Sequence, residues 1–287
     1  MKNILVCTDG SIIAKNIYHY GAWFAKRLNA QINVLSVTDI RSQKVVSTGN
    51  FSGAIGLGAS EDLLEKLVEL EHHKAQLNHE KSKLILKTAK EILQAEGVIN
   101  VNLISKKGFL VDTLHEFESN NDLIVLGKRG ENAEFASKHL GGNVERIIRS
   151  SHKPCLVVPL QFKPIERLLF AYDDSASCQK LLQLITSSPI FQGLELHLVT
   201  VTKDKKDQKA HVNLMKGQEL ATLAGFNPIC LLIEGHPEEA IASYISENDI
   251  SMLLMGAYGH NRIRQLVIGS TTIQILRSTQ IPVFVFR

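Results

Sequence analysis

The alternation of apolar and polar positions divides the chain into short β-branched runs separated by stretches of helical period. "KNILVCTDGS" (2–11) is a compact apolar run closed by a turn, the pattern of a buried strand. Ile13, Ile17, Tyr20, Phe24 and Leu28 follow at steps of 4, 3, 4 and 4, which places them on one helical face. "AQINVLSVTD" (30–39), "VNLISKKG" (101–108), "NNDLIVLGKRG" (120–130) and "HKPCLVVPL" (152–160) predict four more strands, with helical patterns between them. Strands that alternate with helices require crossovers, and so a parallel sheet covered by helices on both faces.

The same order then returns. "IERLLFAYDDS" (165–175) answers the first strand, "LELHLVTVT" (194–202) the second and "NPICLLIEGHP" (227–237) the third. "NDISMLLMGAYG" (248–259) answers the fourth and "TQIPVFVFR" (279–287) the fifth. Agreement is tightest at the end of each unit: Gly127-Lys-Arg-Gly130 aligns with Gly256-Ala-Tyr-Gly259. Arg149 stands five residues before Pro154, as Arg277 stands five before Pro282, and this register pairs Gly142 with Ser270. The sequence therefore predicts a tandem duplication, with units at 1–160 and 161–287 and a junction in "PLQFKPIE" (159–166).

The first unit is longer because of residues 41–80. "GNFSGAIGLGAS" (49–60) reads as a loop, and Ser60 before Glu61 and Asp62 is a good helix start. A charged, Leu-rich stretch then runs to about Ala95 as one long helix or two in series. His72, His73 and His79 lie in it without carboxylates at ligand spacing, so they read as solvated helix-face residues. The glycines of "GAIGLGAS" do not form a dinucleotide fingerprint, because Glu61 stands where a third glycine is needed.

Composition narrows the function classes. At 44% hydrophobic and 21% charged residues the chain is an ordinary globular one. Residues 1–160 carry 20 basic against 17 acidic side chains and the remainder 12 against 12, so neither unit has the basic bias of a nucleic-acid or membrane-surface binder. The N-terminal "MKNILVCTDG" lacks signal-peptide character, and apolar runs fall short of the roughly 20 residues of a membrane span. Cys7, Cys155, Cys178 and Cys230 are scattered, which suits reduced thiols in a cytoplasmic protein.

The candidate chemistry lies in "MGAYGHNRIRQLVIGSTT" (255–272). Gly256 and Gly259 follow an apolar strand and permit close backbone approach, since no Cβ intervenes. Gly269, Ser270 and Thr271 open a helix, whose free N–H groups favour an anion. Arg262 and Arg264 between them can supply charge for a polyphosphate. On spacing alone, a glycine-punctuated loop with an ordinary helix cap explains the stretch equally well.

An Asp after strand one, G-x2-G after strand four and x9-G-[ST] before the last helix resemble the universal stress protein family, in its ATP-binding motif type. The resemblance covers the chain apart from residues 41–80. It implies two tandem five-stranded parallel-sheet Rossmann-like α/β units (strand order 3-2-1-4-5) that form an intramolecular pseudo-dimer. Single-unit members generally dimerise through the final strand, which implies that residues 154–159 run antiparallel to 282–287. By the same resemblance Gly256, Gly259, Gly269 and Ser270 would hold phosphates and Asp173 would sit near ribose or adenine. Backbone around Val201 and Gly235 would frame the base. The neighbouring Asp174 is a candidate ligand for Mg2+.

The first unit departs from this motif. Asp9, Gly127 and Gly130 are present, but ten residues precede Gly141, Gly142 replaces the hydroxyl residue, and Asn143 is the nearest substitute. It is expected to be the weaker second site. The expected function is a non-enzymatic stress-response or signalling protein that binds ATP or another adenine nucleotide through its second unit and is read by a protein partner. A further homodimer is compatible with this. The alternatives are a slow ATPase or phosphotransferase, for which His260 is an isolated candidate base, and a scaffold for another small ligand or protein.

Overall fold

The computed structural model describes residues 1–39, 57–130, 140–257 and 270–287, with backbone alone for 57–64 and 270. The first unit runs β1 (Asn3–Thr8), α1 (Ala14–Leu28), β2 (Gln31–Asp39), α2 (Leu57–Ala95), β3 (Val101–Gly108), α3 (Leu110–Glu118), β4 (Leu123–Gly127), α4 (Gly142–Ser150) and β5 (Cys155–Val158). The second runs β6 (Arg167–Ala171), α5 (Ala176–Ser187), β7 (Glu195–Thr202), α6 (Gln208–Leu223), β8 (Ile229–Glu234), α7 (Pro237–Glu247), β9 (Met252–Gly256), α8 (Ser270–Ser278) and β10 (Val283–Phe286). Together they make one ten-stranded sheet of order β3-β2-β1-β4-β5-β10-β9-β6-β7-β8. Each unit is a parallel 3-2-1-4-5 sheet, and the two meet at an antiparallel seam that pairs Val283 with Val157, Phe284 with Leu156 and Val285 with Cys155.

The central strands are continuous apolar runs because helices cover both faces of the sheet. Alternate residues of β1 therefore enter different layers. Ile4 and Val6 join the core beneath α1 and α2, while Leu5 and Cys7 join the one beneath α3 and α4. The first of these cores crosses the seam. Phe24 of α1 stacks on Phe284 of β10 at 5.8 Å and 5°, and Phe191 stands edge-on to both. Such aromatic pairs add roughly 0.5–1.5 kcal/mol beyond their burial.

Polar contacts also join the units. The Arg27 guanidinium donates to the carbonyls of Ile190 and Gln192, and the Tyr20 hydroxyl accepts from the Lys163 amide at 2.9 Å. Lys128 Nζ donates to the carbonyls of Arg277 and Thr279 (2.8 and 2.7 Å) at the C-terminal end of α8. Arg287 donates to the Arg149 carbonyl of α4 at 2.9 Å. A cation at a helix C-terminus meets both the unpaired carbonyls and the negative end of the dipole.

From Leu57 onward the long insertion belongs to one helix, α2. Its last turns bury Ser82, Leu86, Ala89 and Leu93 against the sheet and α1, and its earlier turns expose Val68, Leu70 and Leu77. Leu57–Ser60, expected as loop, are its first turn, so the helix starts three residues before the Ser60 signal. The rest of that expected loop lies outside the described residues. His72, His73 and His79 are exposed on α2.

Candidate functional site

In both units the described candidate residues lie near the C-terminal ends of the strands, where crossovers leave a crevice in open α/β sheets. In the first unit, Asp9 follows β1 and accepts from the Ser11 amide at 3.0 Å. In the second, Asp173 follows β6 and accepts from the Ser175 amide at the same distance. The next residue is left-handed in each unit, Gly10 at φ +73° and Asp174 at φ +57°. The third strands also end alike, with Gly108 at φ +150° and Gly235 at φ +147°, a region that strongly favours glycine. Gly235 is thus required by its own backbone, and β7–β8 pairing sets it beside Val201 and Thr202, whose carbonyl accepts from the Gly235 amide at 2.9 Å.

The first glycine of each G-x2-G pair serves packing. A Cβ on Gly256 would lie 2.5 Å from Ser177 Oγ and 3.1 Å from Cys178 Sγ, so the glycine lets β9 sit against the start of α5. Gly127 meets Ile13 and Ile17 of the α1 region in the same way, at 3.1 Å each. The second glycine is different. A Cβ on Gly130 would stand 2.8 Å from Asp9 Oδ2, so the loop after β4 passes directly over the carboxylate that ends β1. Sequence reasoning named both residues separately; the fold brings them into contact.

Gly142 and Ser270, paired from the sequence, are the first residues of α4 and α8. A Cβ on Gly142 would meet nothing within 4 Å, and α4 has no side-chain cap at its N-terminus. Thr272 Oγ1 donates to the Ala257 carbonyl at 3.1 Å, which pins the first turn of α8 to the end of β9, with Thr271 half-buried beside it. Gly259, His260, Arg262, Arg264 and Gly269 lie outside the described residues.

A cavity of about 590 Å3 opens in the first unit, lined by Asp9, Gly127, Gly130, Gly142 and Asn143 among others. That volume is in the usual range of small-molecule sites. One of its walls was not anticipated: Asn78, Lys81, Ser82 and Ile85 of α2 line it together with Ser36–Asp39 of β2. Ser82 Oγ lies 2.8 Å from Ser105 Oγ and donates to Ser36 Oγ at 3.4 Å, and these bonds seat α2 over the strand ends. Only the small residues at 36, 82 and 105 hinted at so close an approach.

The second unit treats its acidic pair asymmetrically. Asp174 accepts from the Tyr172 hydroxyl at 2.7 Å and Gln179 Nε2 at 2.9 Å, and Lys216 Nζ stands 3.6 Å from its other oxygen. Burial raises its pKa, but the hydrogen bonds from Gln179 and Tyr172 and the Lys216 charge outweigh it, and the net shift is downward. A Mg2+ ion at Asp174 would compete with these three donors. Among the described residues, no group of three or more His, Cys, Asp or Glu side chains is arranged to hold a metal.

Lys128, inside the first G-x2-G, is 6% exposed. Burial, followed by the Arg129 charge, pushes its pKa down to about 8. Its counterpart Ala257 carries no charge, and nothing in the apolar pattern marks residue 128 as buried. The cysteines are free, with Cys7, Cys155 and Cys178 buried. Among the described residues, no helix is long and apolar enough to cross a membrane.

Comparisons with known proteins agree with this architecture. The Universal stress protein family profile matches residues 1–159 and 164–287. A curated universal stress protein of Synechocystis sp. is 56% identical over 287 residues, all of both chains. One from Methanocaldococcus jannaschii is 27% identical over 161 residues, 55% of this chain and 81% of its own. The crystal structure of a universal stress protein from Archaeoglobus fulgidus shares the fold, with a TM-score of 0.70 at 21% identity over 99% of this chain and 96% of its own. A duplicated 3-2-1-4-5 unit, the glycine loop over Asp9 in the first unit and 56% identity over the full length of a curated member converge: the chain belongs to the universal stress protein family.

Proposed function

We propose that the second unit binds an adenine nucleotide, ATP in the first instance, and that occupancy changes how the protein engages a partner in a stress response or signalling event. The observation that carries this reading is the intact G-x2-G-x9-G-S of residues 256–270, set between β9 and α8. Strand order supports the layout. Gly256 ends β9, Asp173 follows β6, Val201 lies near the end of β7 and Gly235 follows β8, and these four strands are adjacent. At roughly 4.8 Å per strand they span about 14 Å, enough for phosphates at the α8 end and a base at the β7–β8 end. The α8 N-terminus favours the phosphates, Asp173 meets the ribose or the adenine, and the Val201–Gly235 backbone borders the base.

The reading is of a binding protein in the cytoplasm. Calorimetry with ATP on the full chain tests it. Gly259→Val should abolish the dominant binding event, and Gly130→Val should leave that event in place. Two equal sites, or equal sensitivity to both substitutions, would count against it. Hydrolysis near 1 s⁻¹ or faster, the low end of typical enzyme rates, and lost in Ser270→Ala, would replace the binding reading with an ATPase.

A further inference from the structure

Helix α2 is longer than its packing requires. Ser82, Leu86, Ala89 and Leu93 seat its last turns against the core. Before them, residues 65–81 bury nothing: Leu67, Ala75 and Asn78 are half-buried and the rest are exposed. A helix in water draws most of its stability from a packed apolar face, so about five unpacked turns call for a partner. The face available for one is marked. Leu70, Leu77 and Leu84 recur at seven-residue spacing and are 65%, 68% and 65% exposed. Leu63 continues the same spacing in the sequence. A heptad drifts by only about 20° on a straight helix, so the row forms one stripe. At about 100° per residue, that stripe lies opposite the buried Ser82, Leu86, Ala89 and Leu93. Single exposed leucines are ordinary on a protein surface, but a heptad row of them is the pattern of a coiled-coil seam.

Charge identifies the occupant. Residues 61–71 carry five acidic side chains and one lysine, and residues 72–90 carry five lysines and one glutamate. A second α2 laid parallel would set like charge against like along its length. Laid antiparallel, it sets each acidic half against a basic half, close enough for the charges to couple despite salt. The antiparallel direction also keeps the two bodies apart, because each helix is seated on its own sheet only from Ser82 onward. We propose that α2 pairs antiparallel with α2 of a second copy of this chain, about a two-fold axis at Leu77. Leu77 then meets its own counterpart, and Leu70 of each copy meets Leu84 of the other. Such an interface is isologous and closes at two chains. The row from residue 70 to 84 spans about 21 Å of helix, so the seam is short and the dimer reversible. It is separate from the β5–β10 seam, which joins the two units within one chain.

Analytical sedimentation of the full chain tests this from about 1 to about 200 µM, a range over which mass action moves a reversible dimer. The mass should rise from one chain toward two. Leu77→Glu should weaken association by roughly a hundred-fold or more, because both central leucines are lost at once. Leu77 is exposed in the single chain, so thermal unfolding of this variant at low concentration should match the wild type. Orientation is read by disulfide cross-linking of a mixture of Leu70→Cys and Leu84→Cys, with the wild type as the control for the native cysteines. The mixture should give the mixed disulfide, and Leu70→Cys alone should give none. A wild-type chain that stays monomeric at the highest concentration overturns the proposal and assigns the leucine row to an unlike partner. A dimer that Leu77→Glu leaves intact overturns it as well, and so does a Leu70→Cys variant that cross-links to itself, the mark of a parallel pair.

Discussion

Across their described residues the two units share a strand order and left-handed turns at the strand ends, and differ in where they place the small residue that lets a helix come close. In the first unit the glycine is in the loop. Gly10 gives way to a bulky helix residue, and a Cβ there would stand 2.6 Å from Ile85 of α2. In the second the glycine is on the helix. Gly217 of α6 gives way to a bulky strand-end residue, and a Cβ there would stand 2.9 Å from the Tyr172 ring. The left-handed loop position is then free to carry Asp174, which Tyr172, Gln179 and Lys216 hold in place. One packing requirement thus has two solutions, and each leaves a different surface over the strand ends. The 39-residue α2 walls the first crevice, whereas the 16-residue α6 buttresses an acidic turn in the second.

The comparison can be broken most forcefully at the seam. Val283→Asp would bury a carboxylate opposite Val157 and should cost about 4 kcal/mol. Scanning calorimetry should then resolve separate transitions for the two units, with faster proteolysis near residue 162. A single unshifted transition would show that the units do not depend on β10.

Next in size is the glycine that lets β9 meet α5. Gly256→Ala forces a Cβ to 2.5 Å from Ser177 Oγ and should destabilise by about 2–3 kcal/mol. Gly127→Ala, whose nearest neighbours stand at 3.1 Å, should cost about 1 kcal/mol. Chemical denaturation of both variants measures the difference, and equal values would refute this asymmetry.

Lys128 distinguishes the units by pH. Its folded pKa of about 8 lies below the ordinary 10.5, so between these values the unfolded chain binds the extra proton. Stability should therefore rise with pH in that window, by up to about 1.4 kcal/mol per unit. Burial pushes Cys7, Cys155 and Cys178 up from 9.0 to about 12, which lowers stability above pH 9. The Lys128 contribution is cleanest between pH 8 and 9. Urea denaturation of Lys128→Met should show the rise removed.

The smallest effect is expected from Gly142→Ser, which restores to α4 the hydroxyl residue that α8 has in Ser270. A Cβ at this position meets nothing within 4 Å, so stability should change by less than about 1 kcal/mol. AMP affinity in a Gly259→Val background should rise by up to about five-fold, the worth of one hydrogen bond.

Much of the fold was legible because burial on both faces of a parallel sheet writes unbroken apolar runs. The repeat of those runs gave the two units, whereas the strand order and the seam were what the family resemblance implied. The helical face Ile13, Ile17, Tyr20 and Phe24 is buried as its period requires. Gly142 and Ser270, paired by their distance from the following proline, both begin helices, whereas the approach of Gly130 to Asp9 was not legible. What escaped depends on long-range packing. Asn78 and Ser82 line the first cavity only because Ile85 meets Gly10, a contact that local periodicity cannot express. Lys128 is buried because α8 ends beside it, 149 residues away. The Ser60 signal misplaced the start of α2 because residues 57–60 propagate the same helix backward.

The antiparallel seam also changes what each unit is obliged to be. Two separate copies of one unit would assemble only above some threshold of abundance, and every residue at their junction would have to suit its own mirror position. Joined in one polypeptide, the units meet at an effective concentration fixed by the short junction, so their association no longer depends on dilution. Each side of the junction can also diverge from the other. Val157 faces Val283 but Leu156 faces Phe284, and a buried lysine on one side answers an arginine at the chain's end on the other. Covalent continuity thus relaxes symmetry, and two descendants of one unit can hold unlike pockets in a single particle.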